Sequence, residues 1–123
     1  MLSPRPAPLL HARQDGGVTL VTVLATHLSE AHAEALGAEL SRLAGAASPP
    51  RLRLDLARVR FLTSTMLGQL VALHKRVRAA GGELTLVNVA GVVYEVFEVT
   101  RLNQVLDVRR PGPEDCPPLL VAS

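Results

Sequence analysis

The stretch between residues 51 and 89 constrains the fold more than any other part of the chain. Apolar and polar residues alternate over residues 51–56 (RLRLDL), which indicates a half-buried strand. Residues 66–80 repeat apolar side chains at helical spacing and end at a double glycine, and residues 84–89 (LTLVNV) form a second strand-like run. Because two parallel strands need a crossover connection, this order predicts a layered α/β fold with a right-handed strand–helix–strand unit.

The flanking segments predict a hairpin, two more helices and a last strand. Residues 18–24 (VTLVTVL) are rich in β-branched residues and follow a turn signal, so they should pair with a short edge strand at residues 9–13. A hairpin beside parallel strands predicts a mixed sheet of roughly four or five strands. The remaining predicted elements are a helix over residues 30–44 with Ser29 as its N-cap, a short helix over 92–99 and a short strand over 105–108.

Composition argues against several classes of function. The chain has 123 residues, 48% of them hydrophobic, which suffices for one domain, placed here at residues 9–108. The Pro-rich segments 1–8 and 109–123 are predicted to be flexible. A net charge of +2, with one Tyr, two Phe and no Trp, argues against a nucleic-acid partner. No apolar run reaches the roughly 18 residues that span a bilayer, so we expect a cytoplasmic protein without direct membrane insertion.

Thr63, Ser64 and Thr65 lie where the central unit passes from its first strand into its helix. On the structural interpretation, such hydroxyls accept hydrogen bonds from the free N–H groups of the first helical turn. On the functional interpretation, a hydroxyl at a helix N-terminus is well placed to carry a phosphate, because the helix end stabilises anions. The two interpretations are compatible.

A helical wheel divides the helix that follows into an apolar face and an outer face. Thr65 falls on the outer face and is followed there by the small residues Gly68 and Ala72, with Gln69 and Arg76 at the margins. Small residues permit another surface to approach closely, whereas a Gly within a helix costs about 1 kcal/mol relative to Ala. The outer face is therefore a candidate docking surface.

The sequence motifs give little support to a catalytic function. Ser64 lacks the G-x-S-x-G surroundings of a nucleophile elbow, and there is no glycine-rich phosphate loop. His74 has no second His, Cys or carboxylate at metal-ligand spacing. Asp55 ends a strand, where α/β sheets place sites, so a small-molecule site between Asp55 and residues 63–65 stays open as an alternative. We predict no catalytic residue, no metal and no cofactor.

Residues 55–68 (DLARVRFLTSTMLG) resemble the central motif of STAS domains, the anti-sigma-factor antagonist family, whose usual form is D-L-x-x-V-x-F-[ILM]-D-S-S-G-L-G. Residues 70–89 (LVALHKRVRAAGGELTLVNV) look like the helix, double-glycine turn and strand that follow this motif, and residues 96–106 are similar to the closing segment. The resemblance covers residues 18–108 in the family's order. It implies a mixed sheet with about three helices packed mainly on one side.

The resemblance also implies a function. STAS domains of this type are non-enzymatic switches, in which a partner serine kinase, often itself an anti-sigma factor, phosphorylates a hydroxyl at the start of the second helix. A phosphatase resets the switch. By position the phosphorylated hydroxyl is Thr65, with Ser64 as the alternative, and Asp55 matches the family's strand-end Asp. The expected partner-binding residues are Asp55, Thr63, Ser64, Thr65, Met66, Gly68, Gln69, Ala72 and Arg76.

Two residues depart from the family motif. Thr63 stands where an acidic residue usually precedes the hydroxyl pair, and Met66 stands where Gly usually follows it. Both changes are expected to alter the surface that a kinase would recognise. Some relatives act without phosphorylation, among them small subunits of lipid-transport ABC systems. A phosphorylation-independent accessory subunit of a transporter or signalling assembly is therefore the alternative function.

Overall fold

The computed structural model describes residues 9–46 and 49–111. Within these ranges the chain forms seven strands, three α-helices and one short 3₁₀ turn. The strands are β1 (Leu10–Asp15), β2 (Val18–Val23), β3 (His27–Leu28), β4 (Arg51–Asp55), β5 (Phe61–Leu62), β6 (Glu83–Val87) and β7 (Asp107–Val108). The helices are α1 (Glu30–Gly45), α2 (Ser64–Ala79) and α3 (Gly91–Val99), and the 3₁₀ turn spans Leu102–Gln104.

Five strands form one mixed sheet in the order β1-β2-β4-β6-β7. β1 and β2 are antiparallel, as the hairpin prediction requires, and the other three pairings are parallel. The central unit β4–α2–β6 is thus the predicted crossover, with β4 and β6 in direct contact. The predicted mixed α/β fold is confirmed.

The helices pack mainly on one face of this sheet. In β4, Leu52 and Leu54 are 2% and 0% exposed, whereas Arg51 and Arg53 alternate to the other face. The same alternation over β2 and β6 gives a continuous apolar layer beneath α1 and α2. Because the leucines of β4 are buried and its other face carries charges, a one-residue slip of β4 would turn Arg51 and Arg53 toward the core, and its register is strongly determined.

The structure differs from the sequence-based prediction mainly at short elements. β3 and β5 have two residues each and pair with one another in a small separate sheet, and neither is long enough to show a period-two pattern. β6 ends at Val87 instead of residue 89, because Asn88 has a left-handed backbone conformation with φ of 55°. The last strand begins at Asp107 instead of residue 105, because Val105 caps the preceding 3₁₀ turn in a right-handed helical conformation.

The segments predicted to be flexible lie largely outside the described residues. Segment 1–8 lies wholly outside them, and of segment 109–123 only residues 109–111 are described. The backbone of Arg109 is paired on both sides: its N–H donates to the Leu86 carbonyl at 2.8 Å and its carbonyl accepts from Val89 N–H at 3.0 Å. No helix in the described ranges is long and apolar enough to cross a membrane.

The backbone requires both glycines of the pair that follows α2, each for a different reason. Gly81 has φ of 79°, the left-handed conformation that suits a helix C-terminus. Gly82 lies against the start of β4, where an added Cβ would stand 1.8 Å from the Pro50 carbonyl oxygen. The connection from α2 to β6 therefore depends on the absence of a side chain at Gly82.

We expect Gly82→Ala to lower the free energy of unfolding by about 1–3 kcal/mol, because the β4 and β6 backbones must separate to admit the methyl group. The measurement is urea unfolding followed by far-UV circular dichroism. Gly91→Ala is the matched control, since a Cβ there meets nothing within 4 Å. Equal stability of the two variants would contradict the close approach at Gly82.

Candidate functional site at the start of helix α2

The chain enters α2 through a fixed backbone path. β5 pairs in parallel with β3, and Thr63 N–H then donates to the Leu28 carbonyl at 3.3 Å. Thr63 is the N-cap of α2, with φ of −90° and ψ of 167°, and its Oγ1 accepts a hydrogen bond from Met66 N–H at 3.3 Å. The capping interpretation of the hydroxyl cluster is therefore confirmed for Thr63. This cap places Ser64 and Thr65 in the first turn of α2.

Thr65 lies in the groove between α1 and α2 and not on the fully exposed side of the helix. Its Oγ1 donates to the Glu30 carboxylate oxygen Oε2 at 3.3 Å, and the residue is partly buried. Glu30 is the first residue of α1 and follows Ser29, which caps that helix as predicted by accepting from His32 N–H. The helical wheel could not show this contact, because it describes α2 without its neighbour.

The exposed side of α2 starts one residue earlier, at Ser64. We call the following exposed set the α2 outer stripe. It consists of Ser64, Gly68, Ala72, Lys75 and Ala79. Arg76 is also exposed and lies between this stripe and the α1 side of the helix. Three of the predicted partner-binding residues, Ser64, Gly68 and Ala72, thus share one accessible surface.

Gln69 lies at the contact between the two helices. A Cβ added to Gly37 of α1 would stand 2.3 Å from Gln69 Oε1, so the Gln69 side chain covers Gly37 directly. The glycine allows this close approach between α1 and α2. Gln69 is partly buried, and its main contact is internal.

Met66 cannot contact a partner directly, contrary to the sequence-based prediction. It is 1% exposed and belongs to the core together with Leu70 and Val77. Its position on the sheet-facing side of α2 explains the burial, because residues at helical spacing i, i+4 and i+11 share one face. Met66 therefore acts on the site only through the packing of α2.

Asp55 lies on the sheet face that the helices leave uncovered. One carboxylate oxygen accepts from Ala57 N–H at 2.9 Å, and the other accepts from Asn88 Nδ2 at 3.2 Å. Asp55 also lines a shallow depression of about 390 Å³ with His11 and Arg13 from the hairpin. Its hydrogen bonds hold the loop that leads from β4 to β5, and the structure does not join it to residues 63–65 in one cleft.

The sequence-based prediction did not identify two residues at this end of the molecule. Glu30 reaches Thr65 only because α1 and α2 pack side by side, and no local pattern encodes a contact across 35 residues of chain. Phe61 is 54% exposed next to the site. No alternation signals its exposure, because Phe61 and Leu62 are both apolar and β5 has only two residues.

The titratable side chains of the described ranges form no metal-binding cluster. No three His, Cys, Asp or Glu side chains lie close enough together there to hold a metal ion. His74 is partly buried on the sheet side of α2, and its Nδ1 has no hydrogen-bond partner. The start of α2 offers hydroxyls, free N–H groups and one neighbouring carboxylate, which suits carrying a phosphate or meeting another protein surface.

The fold and the site together define a class: a mixed-sheet α/β domain that presents a hydroxyl cluster at the start of its second helix. Residues 11–108 match the family model described as "Mlab, STAS domain". This match spans more than half of the chain. The chain belongs to the STAS domain family, as the sequence motifs predicted.

Curated and solved relatives agree with this assignment. An anti-sigma-B factor antagonist of Listeria monocytogenes serovar 1/2a is 33% identical over 58 residues, which are 47% of this chain and 51% of the relative. The match therefore spans about half the length of that relative. An anti-sigma-factor antagonist (STAS) domain protein from Planctomyces limnophilus superposes with a TM-score of 0.74 at 23% identity, covering 93% of this chain and 98% of that one.

A transporter-family structure has the same fold. A sulfate transporter family protein from Wolinella succinogenes superposes with a TM-score of 0.66 at 15% identity, covering 89% of this chain and 91% of that one. At this identity the similarity shows the fold alone. The anti-sigma-factor-antagonist fold thus also occurs in a protein of a transporter family.

The cap at Thr63 yields a stability prediction. We expect Thr63→Ala to lower the free energy of unfolding by about 1 kcal/mol, because Met66 N–H loses its acceptor. Thr63→Asp should raise it by about 0.5 kcal/mol, because α2 has no acidic residue in its first turn and a carboxylate there would meet the helix dipole. Urea unfolding at neutral pH measures both. Thr26→Ala is the control for losing an exposed threonine, and a Thr63→Ala variant as stable as this control would refute the capping role.

Proposed function

We propose that this chain is a non-enzymatic, regulatory protein-interaction module of the anti-sigma-factor-antagonist type, and that it binds its partner through the α2 outer stripe. The expected partner is a serine kinase that acts as an anti-sigma factor. The observation that carries the proposal is Gly68. A Cβ added there would meet nothing within 4 Å, so no packing within the described part of the chain requires a glycine.

Gly68 is costly for the free protein. A glycine in the interior of a helix destabilises it by about 1 kcal/mol relative to alanine, and Gly68 lies in the second turn of α2. Gly82 and Gly37 differ from Gly68, because each lies against neighbouring atoms. A surface that approaches the α2 backbone closely would account for Gly68, as it would for the small Ala72 one turn later.

The similar proteins support this choice of partner. The Listeria relatives are named anti-sigma-B factor antagonists, and the Planctomyces structure is named an anti-sigma-factor antagonist domain protein. A protein that antagonises an anti-sigma factor is expected to bind it. We extend this activity to the present chain as part of the proposal.

We further propose that phosphorylation of Thr65 switches this binding. The modified hydroxyl would carry close to two negative charges beside the Glu30 carboxylate, to which Thr65 now donates a hydrogen bond. The hydrogen bond would be lost and the two anions would repel, while the free N–H groups of the first turn of α2 would partly stabilise the phosphate. Ser64 is the alternative acceptor, because it is exposed in the same turn.

A phosphorylation-independent accessory subunit is the second candidate. One specific observation favours it: Thr65 is partly buried and hydrogen-bonded to an acidic side chain, which is a poor presentation for a kinase substrate. The Wolinella neighbour belongs to a sulfate transporter family. On this alternative the α2 outer stripe binds a transporter or signalling subunit constitutively, with no phosphate involved.

Photo-cross-linking in the native host tests the docking surface. A photoreactive amino acid replaces Ala72 in the α2 outer stripe, and the control carries it at Val99 on α3, which is 82% exposed. The proposal predicts a covalent adduct with one partner protein through position 72 and none through position 99. Mass spectrometry of the adduct identifies the partner and also reads the modification state of Ser64 and Thr65. Adducts through position 99 alone would refute the proposed surface.

The Gly68→Ala substitution should raise the stability of the free protein and lower its affinity for the partner. We expect the free protein to gain up to about 1 kcal/mol of stability, because the helix loses its glycine and the methyl group meets no atom. Affinity for the captured partner should fall by about tenfold or more, because the methyl group would stand between two closely packed surfaces. Thermal unfolding and isothermal titration calorimetry measure the two effects. A stabilised variant with unchanged affinity would show that nothing approaches Gly68.

Thr65→Glu should weaken partner binding by about tenfold or more if phosphate is the switch, because like charges placed in an interface cost more than about 1.4 kcal/mol. Thr65→Ala is the matched control and should retain the affinity. Combining Thr65→Glu with Glu30→Gln should relieve the internal repulsion, which separates its effect from the effect at the interface. Equal affinities of the Glu and Ala variants would exclude the switch and favour the accessory-subunit alternative.

A further inference from the structure

Phe61 is a large aromatic side chain in an unusual position for a chain with so few aromatic residues. It is 54% exposed at the start of β5, two residues before the first hydroxyl of the cluster. Its only ring contact in the described part of the chain is with His27 of β3, with ring centroids 6.1 Å apart and planes tilted by 42°. Most of the apolar ring surface is therefore available to a partner.

The segment that carries Phe61 is held in place before any partner binds. The N–H groups of Arg60 and Phe61 both point to the Thr26 carbonyl, at 2.8 and 3.3 Å. Val59 is fully buried, at 0% exposure. The Asp55 carboxylate fixes the beginning of the same loop through Ala57 N–H. A preorganised anchor loses little conformational entropy on binding.

Two arginines precede this ring in the same loop. Arg58 and Arg60 are exposed on either side of the buried Val59, three residues and one residue before Phe61 in the sequence. Glu30 is the acidic residue that faces the nearby start of α2. Lys75 and Arg76 continue the positive charge along α2. An exposed aromatic ring with neighbouring arginines is the composition of binding hot spots.

We propose that Phe61 is the anchor of the docking surface and that the partner protein receives it in an apolar pocket rimmed by Asp or Glu side chains, which pair with Arg58 and Arg60. This inference rests on the proposed function, because it assigns the partner's chemistry for the same end of the molecule. A second copy of this chain fits poorly, since a symmetric contact would bring the same arginines together. An anionic lipid surface fits less well than a protein, because membrane-binding clusters contain roughly four to eight basic residues, whereas this loop carries only Arg58 and Arg60.

The test measures affinity for the partner captured through position 72, purified and titrated against the full chain. Phe61→Ser should weaken binding by about 30-fold or more, as expected for a central aromatic anchor. Val99→Ser is its control, with a change of less than about twofold, because it removes an apolar group that is 82% exposed on α3. All variants are first checked for unchanged thermal unfolding.

Two charge-reversal variants test the contribution of the arginines to binding. Arg58→Glu/Arg60→Glu should weaken binding by about tenfold or more, whereas Arg13→Glu/Arg51→Glu, with the same change in net charge on the uncovered sheet face, should change it by less than about threefold. The wild-type affinity should fall when salt is raised from about 0.05 to about 0.5 M.

The outcomes are distinct. A captured partner whose affinity is unchanged by Phe61→Ser or by the Arg58/Arg60 reversal overturns this inference and leaves the proposed function intact. No adduct through position 72 overturns both. Binding to phosphatidylcholine vesicles containing about one-third phosphatidylserine, if it is lost in Phe61→Ser, overturns the protein partner in favour of a membrane surface.

Discussion

The parallel pairing of β4 with β2 and β6 is the constraint on which the rest of the structure depends. β4 lies at the centre of the sheet, and its leucines form the floor on which α1 and α2 rest. Because one side of β4 is apolar and the other carries Arg51, Arg53 and Asp55, its pairing register also determines which side of the sheet the helices cover. The loop that leaves the carboxyl end of β4 then determines where the second helix begins.

That loop connects the fold to the proposed docking surface. Asp55 at its start is bound by Ala57 and Asn88, and Thr26 holds its end. Along this fixed path Phe61 is exposed, Leu62 is buried and Thr63 is the N-cap of α2. The family's strand-end Asp is thus explained as a positioning residue, and the accessible surface is formed by Phe61 and the α2 outer stripe.

The sequence predicted the long elements well and the contacts between them poorly. The β4–α2–β6 unit, the hairpin and the Ser29 cap are encoded locally, by alternation, β-branched residues and capping preferences, and all are present. The pairing of Thr65 with Glu30 and of Gln69 with Gly37 depends on how α1 lies against α2, which no local pattern describes. Met66 was assigned to a surface by analogy with the family motif, although its own helical spacing placed it in the core.

Amide exchange at the first turn of α2 tests the central claim most directly. The N–H groups of the first residues of a helix have no partner within the helix, so those of Ser64 and Thr65 should exchange rapidly in the free chain. Hydrogen–deuterium exchange of the complex with the captured partner should show slowed exchange over residues 58–68 and unchanged exchange over the hairpin strands β1 and β2. Slowed exchange in the hairpin, with the start of α2 unchanged, would place the partner on the uncovered sheet face and contradict the account.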